Sequence, residues 1–160
     1  MTDFFNFTPM KKTLIYGYGN AGRQDDGLGE RFIELIDEWI TTEKIQNVFT
    51  DCNYQLNIED SATIADYDTV IFVDASVADI ESFKLEKVMP NDATIEFTMH
   101  AVSVSYVLDL CQKIYHKQPE TYVLHIKAYE FEFIEKLTPK ASENLNAAFG
   151  FLKEFFSGKN

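Results

Sequence analysis

The chain has 160 residues, the size of one ordinary domain, with 46% hydrophobic and 25% charged residues, so a two-domain enzyme and a disordered polypeptide are both excluded. Fourteen Lys and Arg against 26 Asp and Glu give a formal net charge of -12. Such a surface repels phosphate backbones and anionic headgroups, which leaves a basic protein surface or a cation as the natural partner and argues against nucleic-acid and membrane binding. The two cysteines, Cys52 and Cys111, form no metal or disulfide pattern and are expected to be apolar thiols. No basic start precedes an apolar run, and no stretch of about 18 apolar residues occurs. The reading is a cytoplasmic, monomeric protein with a tail over residues 1–10 and a single domain over 11–157.

Strands and helices alternate along the chain. Residues 13–16, Thr-Leu-Ile-Tyr, form a short apolar run ended by Gly17, as in a parallel strand covered on both faces. From Gly27 onward, Leu28, Phe32, Leu35, Ile36, Trp39 and Ile40 recur at helical spacing, with Glu30, Glu34, Asp37 and Glu38 on the other face. A second strand is predicted over 47–50, and a short helix over 60–66 capped by Asp60 or Ser61. Residues 70–73, Val-Ile-Phe-Val, read as a central buried strand and 83–88 as an edge strand. Val104, Val107, Leu108, Cys111, Ile114 and Tyr115 mark a second long helix that His100 is expected to start. A strand over 122–126 and a last helix opened by Thr138-Pro139 complete the pattern. The fold class is α/β: a three-layer sandwich with a twisted, mostly parallel sheet and helices on both faces.

In such a sheet, functional groups gather where the loops leave the carboxyl ends of the strands. This rule selects Asn20, Asp25 and Asp26 after the first strand, Asp51 after the second, Asp74 after the central one, and His100. Gly17-Tyr-Gly-Asn-Ala-Gly22 also matches the dinucleotide-binding fingerprint. Arg23-Gln-Asp-Asp26 nevertheless separates the glycines from the helix and sets two negative charges where pyrophosphate would sit, which disfavours a nucleotide site. Asp25 and Asp26 can be helix caps, one capping while the other faces the crevice. Asp74, directly after a buried strand, needs a hydrogen-bonding partner or a cation to stay ionised. Asp26, Asp74 and His100 together offer two oxygens and one nitrogen, an incomplete shell for a borderline divalent ion. His116 and His125 fall away from this edge and are read as structural. No G-x-S-x-G motif supports serine chemistry, and the carboxylate of Asp51 beside Cys52 would raise that thiol's pKa.

Gly17-Tyr-Gly-Asn20 through Asp25-Asp26-Gly-Leu-Gly29 resembles the opening signature of the hydrogenase maturation endopeptidases, which trim the carboxyl-terminal extension from the large subunit of nickel-iron hydrogenases. Val73-Asp74-Ala75, Met99-His100-Ala-Val-Ser103 and the stretch 133–145 with Leu137-Thr-Pro139 resemble that family's later blocks, in the same order. The resemblance implies a phosphorylase/hydrolase-like sheet between helices. It places the family's metal-reading and catalytic trio on Asp26, Asp74 and His100, with Gly19, Asn20, Asp25 and Asp51 as substrate contacts. It further implies that the partner is a [NiFe] hydrogenase large-subunit precursor already carrying nickel. The isolated protein would then be empty, or hold adventitious zinc or cadmium. One stretch departs from the family pattern: Asp51-Cys-Asn-Tyr-Gln-Leu56 stands where a glycine-rich loop is usual, which bears on which precursor is bound and on whether cleavage occurs. A non-catalytic, metal-dependent maturation chaperone is the alternative.

Overall fold

The structure is a computed structural model that describes residues 11–90 and 102–157. Five strands form one sheet in the order β2-β1-β3-β5-β4: β1 (Thr13–Tyr18), β2 (Val48–Asn53), β3 (Thr69–Ser76), β4 (Phe83–Val88) and β5 (Glu120–Lys127). The contacts of β1 with β2, β1 with β3 and β3 with β5 are parallel, whereas β4 runs antiparallel to β5 along an edge. The apolar run 70–73 therefore takes the middle of the sheet, as its lack of charge demands.

Period-two alternation divides the core into two halves. Ile15, Ile71, Val73, Leu124 and Ile126 pack against the apolar stripes of α1 (Leu28–Glu43) and α4 (Pro139–Ser157). Leu14, Tyr16, Val70, Phe72 and Val123 face the opposite layer with α2 (Asp60–Ile64) and α3 (Val104–Tyr115). The three-layer expectation is met. Among the described residues, no helix is long and apolar enough to cross a membrane.

The local differences have physical causes. β2 runs three residues past the predicted end because it is an edge strand with alternating exposure, so Asp51 and Asn53 keep their polar side chains in water while the backbone still pairs with β1. Asp60 and Ser61 do not cap α2. Asp60 instead accepts from the Tyr16 hydroxyl at 3.0 Å and the Asn57 N–H at 2.7 Å, and Ser61 donates to the Ile58 carbonyl at 2.7 Å. α3 starts at Val104, four residues after His100, and its cap is Ser103, whose hydroxyl accepts from the Tyr106 N–H at 3.1 Å. Thr138 caps α4 through the Ala141 N–H at 3.3 Å. His116 closes α3 in a left-handed conformation, and His125 pairs with Glu86 across β5 and β4 at 3.0 Å.

Candidate functional site

The loop after β1 is built by close backbone approach. A Cβ on Gly17 would lie 2.4 Å from the Gly29 carbonyl oxygen, and one on Gly19 would lie 2.3 Å from the Asp26 carbonyl oxygen. Gly19 also has φ +138°, a conformation open to glycine and strained for other residues. Both glycines are thus used to seat the strand end against the start of α1. Of the fingerprint glycines, Gly17 and Gly19 thus meet protein backbone, whereas a Cβ on Gly22 would meet only the Asn20 side chain, and a 3-10 turn over Gln24–Gly27 intervenes before α1.

Adjacent aspartates in that turn go opposite ways. Asp25 is fully buried, and its carboxylate accepts four hydrogen bonds: from the N–H groups of Tyr129 (2.8 Å), Glu130 (3.1 Å) and Thr138 (2.8 Å) and from the Thr138 hydroxyl (2.8 Å). Asp25 thus has no exposed surface, and its carboxylate is engaged within the protein. In this structure its carboxylate ties the site loop to residues 129–138. Asp26 is half-buried on the other side. Its Oδ2 accepts from the Asn20 N–H at 2.7 Å, while the Asn20 side chain accepts from the Gly22 N–H at 2.8 Å. Asn20 therefore shapes the loop and orients Asp26. Burial raises the Asp26 pKa, and the Asn20 N–H and the Arg23 charge oppose that rise.

Asp74 stands near the carboxyl end of β3 on the Tyr16–Phe72 side of the sheet. Burial is the main reason its pKa is pushed up to about 7; the Asp26 charge adds to the rise, while hydrogen bonds from the Tyr18 hydroxyl and the Ala75 backbone hold it back. The two carboxylates are thus close enough to repel one another. Among the described residues, no three His, Cys, Asp or Glu side chains gather tightly enough to hold a metal ion. The third expected ligand, His100, lies outside the described residues.

Asp51 is exposed on β2, paired in register with Tyr16, and its Oδ1 accepts from the Cys52 N–H at 2.8 Å. The Cys52 thiol is pushed up to about 11 by burial and by the charges of Glu30, Asp51, Glu34 and Asp37. It therefore carries little thiolate at neutral pH. Tyr18 was not singled out by sequence reasoning. The parallel register, in which Gly17 pairs with Val73, brings the next residues of β1 and β3, Tyr18 and Asp74, side by side. That register, together with the period-two spacing from Tyr16, is the signal that could have found it. Burial and the charge of Asp74 raise the Tyr18 phenol well above its usual pKa, so it stays a hydrogen-bond donor.

By sequence, no family model and no curated protein matches the chain. Solved structures do match in shape. The [NiFe] hydrogenase maturation protease HycI from Thermococcus kodakarensis superposes with a TM-score of 0.73 at 19% identity, covering 92% of this chain and 94% of that one. The fold is that of the hydrogenase maturation proteases. The hydrogenase maturating endopeptidase HybD from E. coli gives a TM-score of 0.72 at 19% identity, with 92% of this chain and 94% of that chain covered. A hydrogenase 2 maturation peptidase from a Thaumarchaeota archaeon gives 0.67 at 19% identity, covering 92% and 99%. At this level of identity the likeness establishes the architecture, and what the chain does must be argued from its site.

Proposed function

We propose that the chain is an endopeptidase that removes the carboxyl-terminal extension of a nickel-loaded [NiFe] hydrogenase large-subunit precursor, reading the nickel through Asp26, Asp74 and His100. This reading is supported by the placement of Asp26 and the part-buried Asp74 at the carboxyl edge of the sheet, where the Asp26 charge adds to the rise of the Asp74 pKa. Nickel brought in by the substrate supplies a Lewis acid beside the scissile carbonyl. The Asn20 N–H fixes Oδ2 of Asp26, and Oδ1 is the oxygen that would meet the ion. Asp74 is steadied by the Tyr18 hydroxyl and gives up its proton near neutral pH, so it can ligate in one state and carry a proton in the other. Gly19 and Asn20, in the same loop as Asp26, are the proposed substrate contacts. In the isolated protein, zinc or cadmium would occupy the same oxygens loosely.

The chaperone reading draws support from Tyr54, which is 69% exposed on the loop after β2, where glycine would let a substrate backbone approach. Incubation with a nickel-loaded precursor, followed by intact-mass measurement, separates the two. Cleavage lowers the precursor mass by its tail, whereas a chaperone leaves the mass intact. Asp26→Asn, Asp74→Asn and His100→Ala should each abolish processing without unfolding the protein, and full processing by all three would end the proposal.

A further inference from the structure

Three side chains form a row across the α2–α3 face of the sheet toward its carboxyl edge. Period-two alternation puts Tyr18 on that face after Tyr16, Asp74 after Phe72, and His125 after Val123. The parallel register then sets them on adjacent strands: Gly17 pairs with Val73, which brings Tyr18 beside Asp74, and Asp74 itself pairs with His125. Asp74 is thus flanked on both sides. His125 is engaged elsewhere, its Nε2 lying 3.0 Å from the Glu86 carboxylate on β4. Tyr18 is engaged with Asp74, whose carboxylate accepts a hydrogen bond from its hydroxyl.

Little freedom is left to this phenol. Its ring meets the fully buried Phe72 edge-on, with centroids 6.3 Å apart and planes at 70°, and Phe72 in turn packs on Tyr16 at 5.4 Å. The Tyr18 backbone pairs with Asn53 of β2, and the next N–H, that of Gly19, donates to the Asn53 carbonyl at 3.1 Å. The start of α1 lies so close that a Cβ on Gly29 would sit 2.6 Å from the Tyr18 carbonyl oxygen. Tyr16 shows what the same side chain does in a structural role: it is fully buried, and its hydroxyl donates to Asp60, at the start of α2, at 3.0 Å. Two residues further along the strand, Tyr18 donates to a residue of the proposed site instead. A ligating carboxylate turns about its own bond unless an outer partner fixes it, and loss of such a partner commonly costs roughly ten- to a hundredfold in metal affinity or activity. From the register, the shared face and the ring support, we infer that Tyr18 is a positioning residue whose hydroxyl holds the Asp74 carboxylate in the orientation that meets the substrate's metal ion. The inference rests on the peptidase reading for the identity of the substrate and for Asp74 as one of its metal-reading groups.

Tyr18→Phe removes the hydroxyl and keeps the ring. The control is Tyr67→Phe, which alters another partly buried tyrosine of the same layer, beside Lys12 at the opposite edge of the sheet. On the full chain, cadmium binding is measured by calorimetry for wild type, both tyrosine variants, Asp74→Asn and the Tyr18→Phe/Asp74→Asn pair. Steady-state processing of nickel-loaded precursor is measured for wild type and the two tyrosine variants, with thermal melts to confirm folding. The expected result is that Tyr18→Phe weakens cadmium binding and raises KM, each by roughly tenfold or more, with kcat and Tm kept, while Tyr67→Phe changes neither. In the Asp74→Asn background, Tyr18→Phe should weaken cadmium binding no further, because its effect passes through Asp74. Cadmium binding and processing unchanged in Tyr18→Phe would overturn the positioning role and leave the peptidase reading in place. A Tyr18→Phe loss that persists in full without the Asp74 carboxylate, or that only follows loss of folded protein, would overturn it as well. Cadmium binding that depends on both residues, without cleavage by wild type, would uphold the positioning role and remove the peptidase reading. A wild-type protein that neither binds cadmium through Asp74 nor cuts the precursor overturns both.

Discussion

Removing the charge of Asp74 should stabilise the metal-free protein, and by an amount that depends on pH. Its carboxyl is pushed up to about 7 from an ordinary value of 3.8, so the folded state holds a proton that the unfolded chain has already released. Between those values the native state binds more protons, so the stability contributed by this group is full below pH 3.8, falls as pH rises, and is lost above about 7. Asp74→Asn has no such slope. The constant cost of burying an amide cancels when the two proteins are compared at two pH values. The two units from pH 5 to the folded-state value are worth about 1.4 kcal/mol each, so the advantage of Asp74→Asn should grow by about 2–3 kcal/mol between pH 5 and pH 8. For a chain of this length that is roughly 5–10 °C in Tm. Thermal melts of both proteins in chelator-treated buffer at the two pH values measure it directly. A Tm difference that stays constant with pH, or that shrinks toward pH 8, would refute the claim that the part-buried Asp74 carboxyl has a raised pKa.

Other residues give independent tests. Asp25→Ala should cost about 3 kcal/mol or more in urea unfolding, because it strands four donors, the two of Thr138 buried and those of Tyr129 and Glu130 part-buried; a loss under about 1 kcal/mol would mean that the 129–138 stretch does not depend on the clamp. Gly17→Ala should cost about 2–3 kcal/mol, since the added Cβ meets the Gly29 carbonyl at 2.4 Å, and an unchanged unfolding midpoint would contradict that backbone approach. Alkylation of Cys52 by iodoacetamide at pH 8, followed by peptide mass analysis, should run roughly a hundredfold slower than for an ordinary thiol, because a pKa of about 11 leaves little thiolate; rapid labelling would show that its acidic neighbours do not act on it.

Much of the architecture was legible because hydrophobic period and strand content carry it. The charge-free run 70–73 could be stable only in the middle of a covered sheet, and the stripes of α1 and α4 needed a sheet face to bury them. Strand ends were harder to read. Asp51 and Asn53 look like loop residues because an edge strand tolerates polar side chains, and what holds them in β2 is backbone pairing that composition does not express. The site was legible in its loops but not in its orientations. Nothing in Asp25-Asp26 says which carboxylate turns inward, since the four donors that capture Asp25 come from residues more than a hundred positions away. Tyr18 was missed for the same reason: its partnership with Asp74 depends on the register between β1 and β3 rather than on any local motif.

The central claim is that Asp26 and Asp74 take one cation between them. Crystals grown with cadmium, examined at a wavelength where that metal scatters anomalously, test it most directly. The account predicts a single strong peak within bonding distance of both carboxylates, absent from Asp74→Asn crystals. Cadmium bound only elsewhere, with Asp26 and Asp74 left facing each other without an ion, would contradict it.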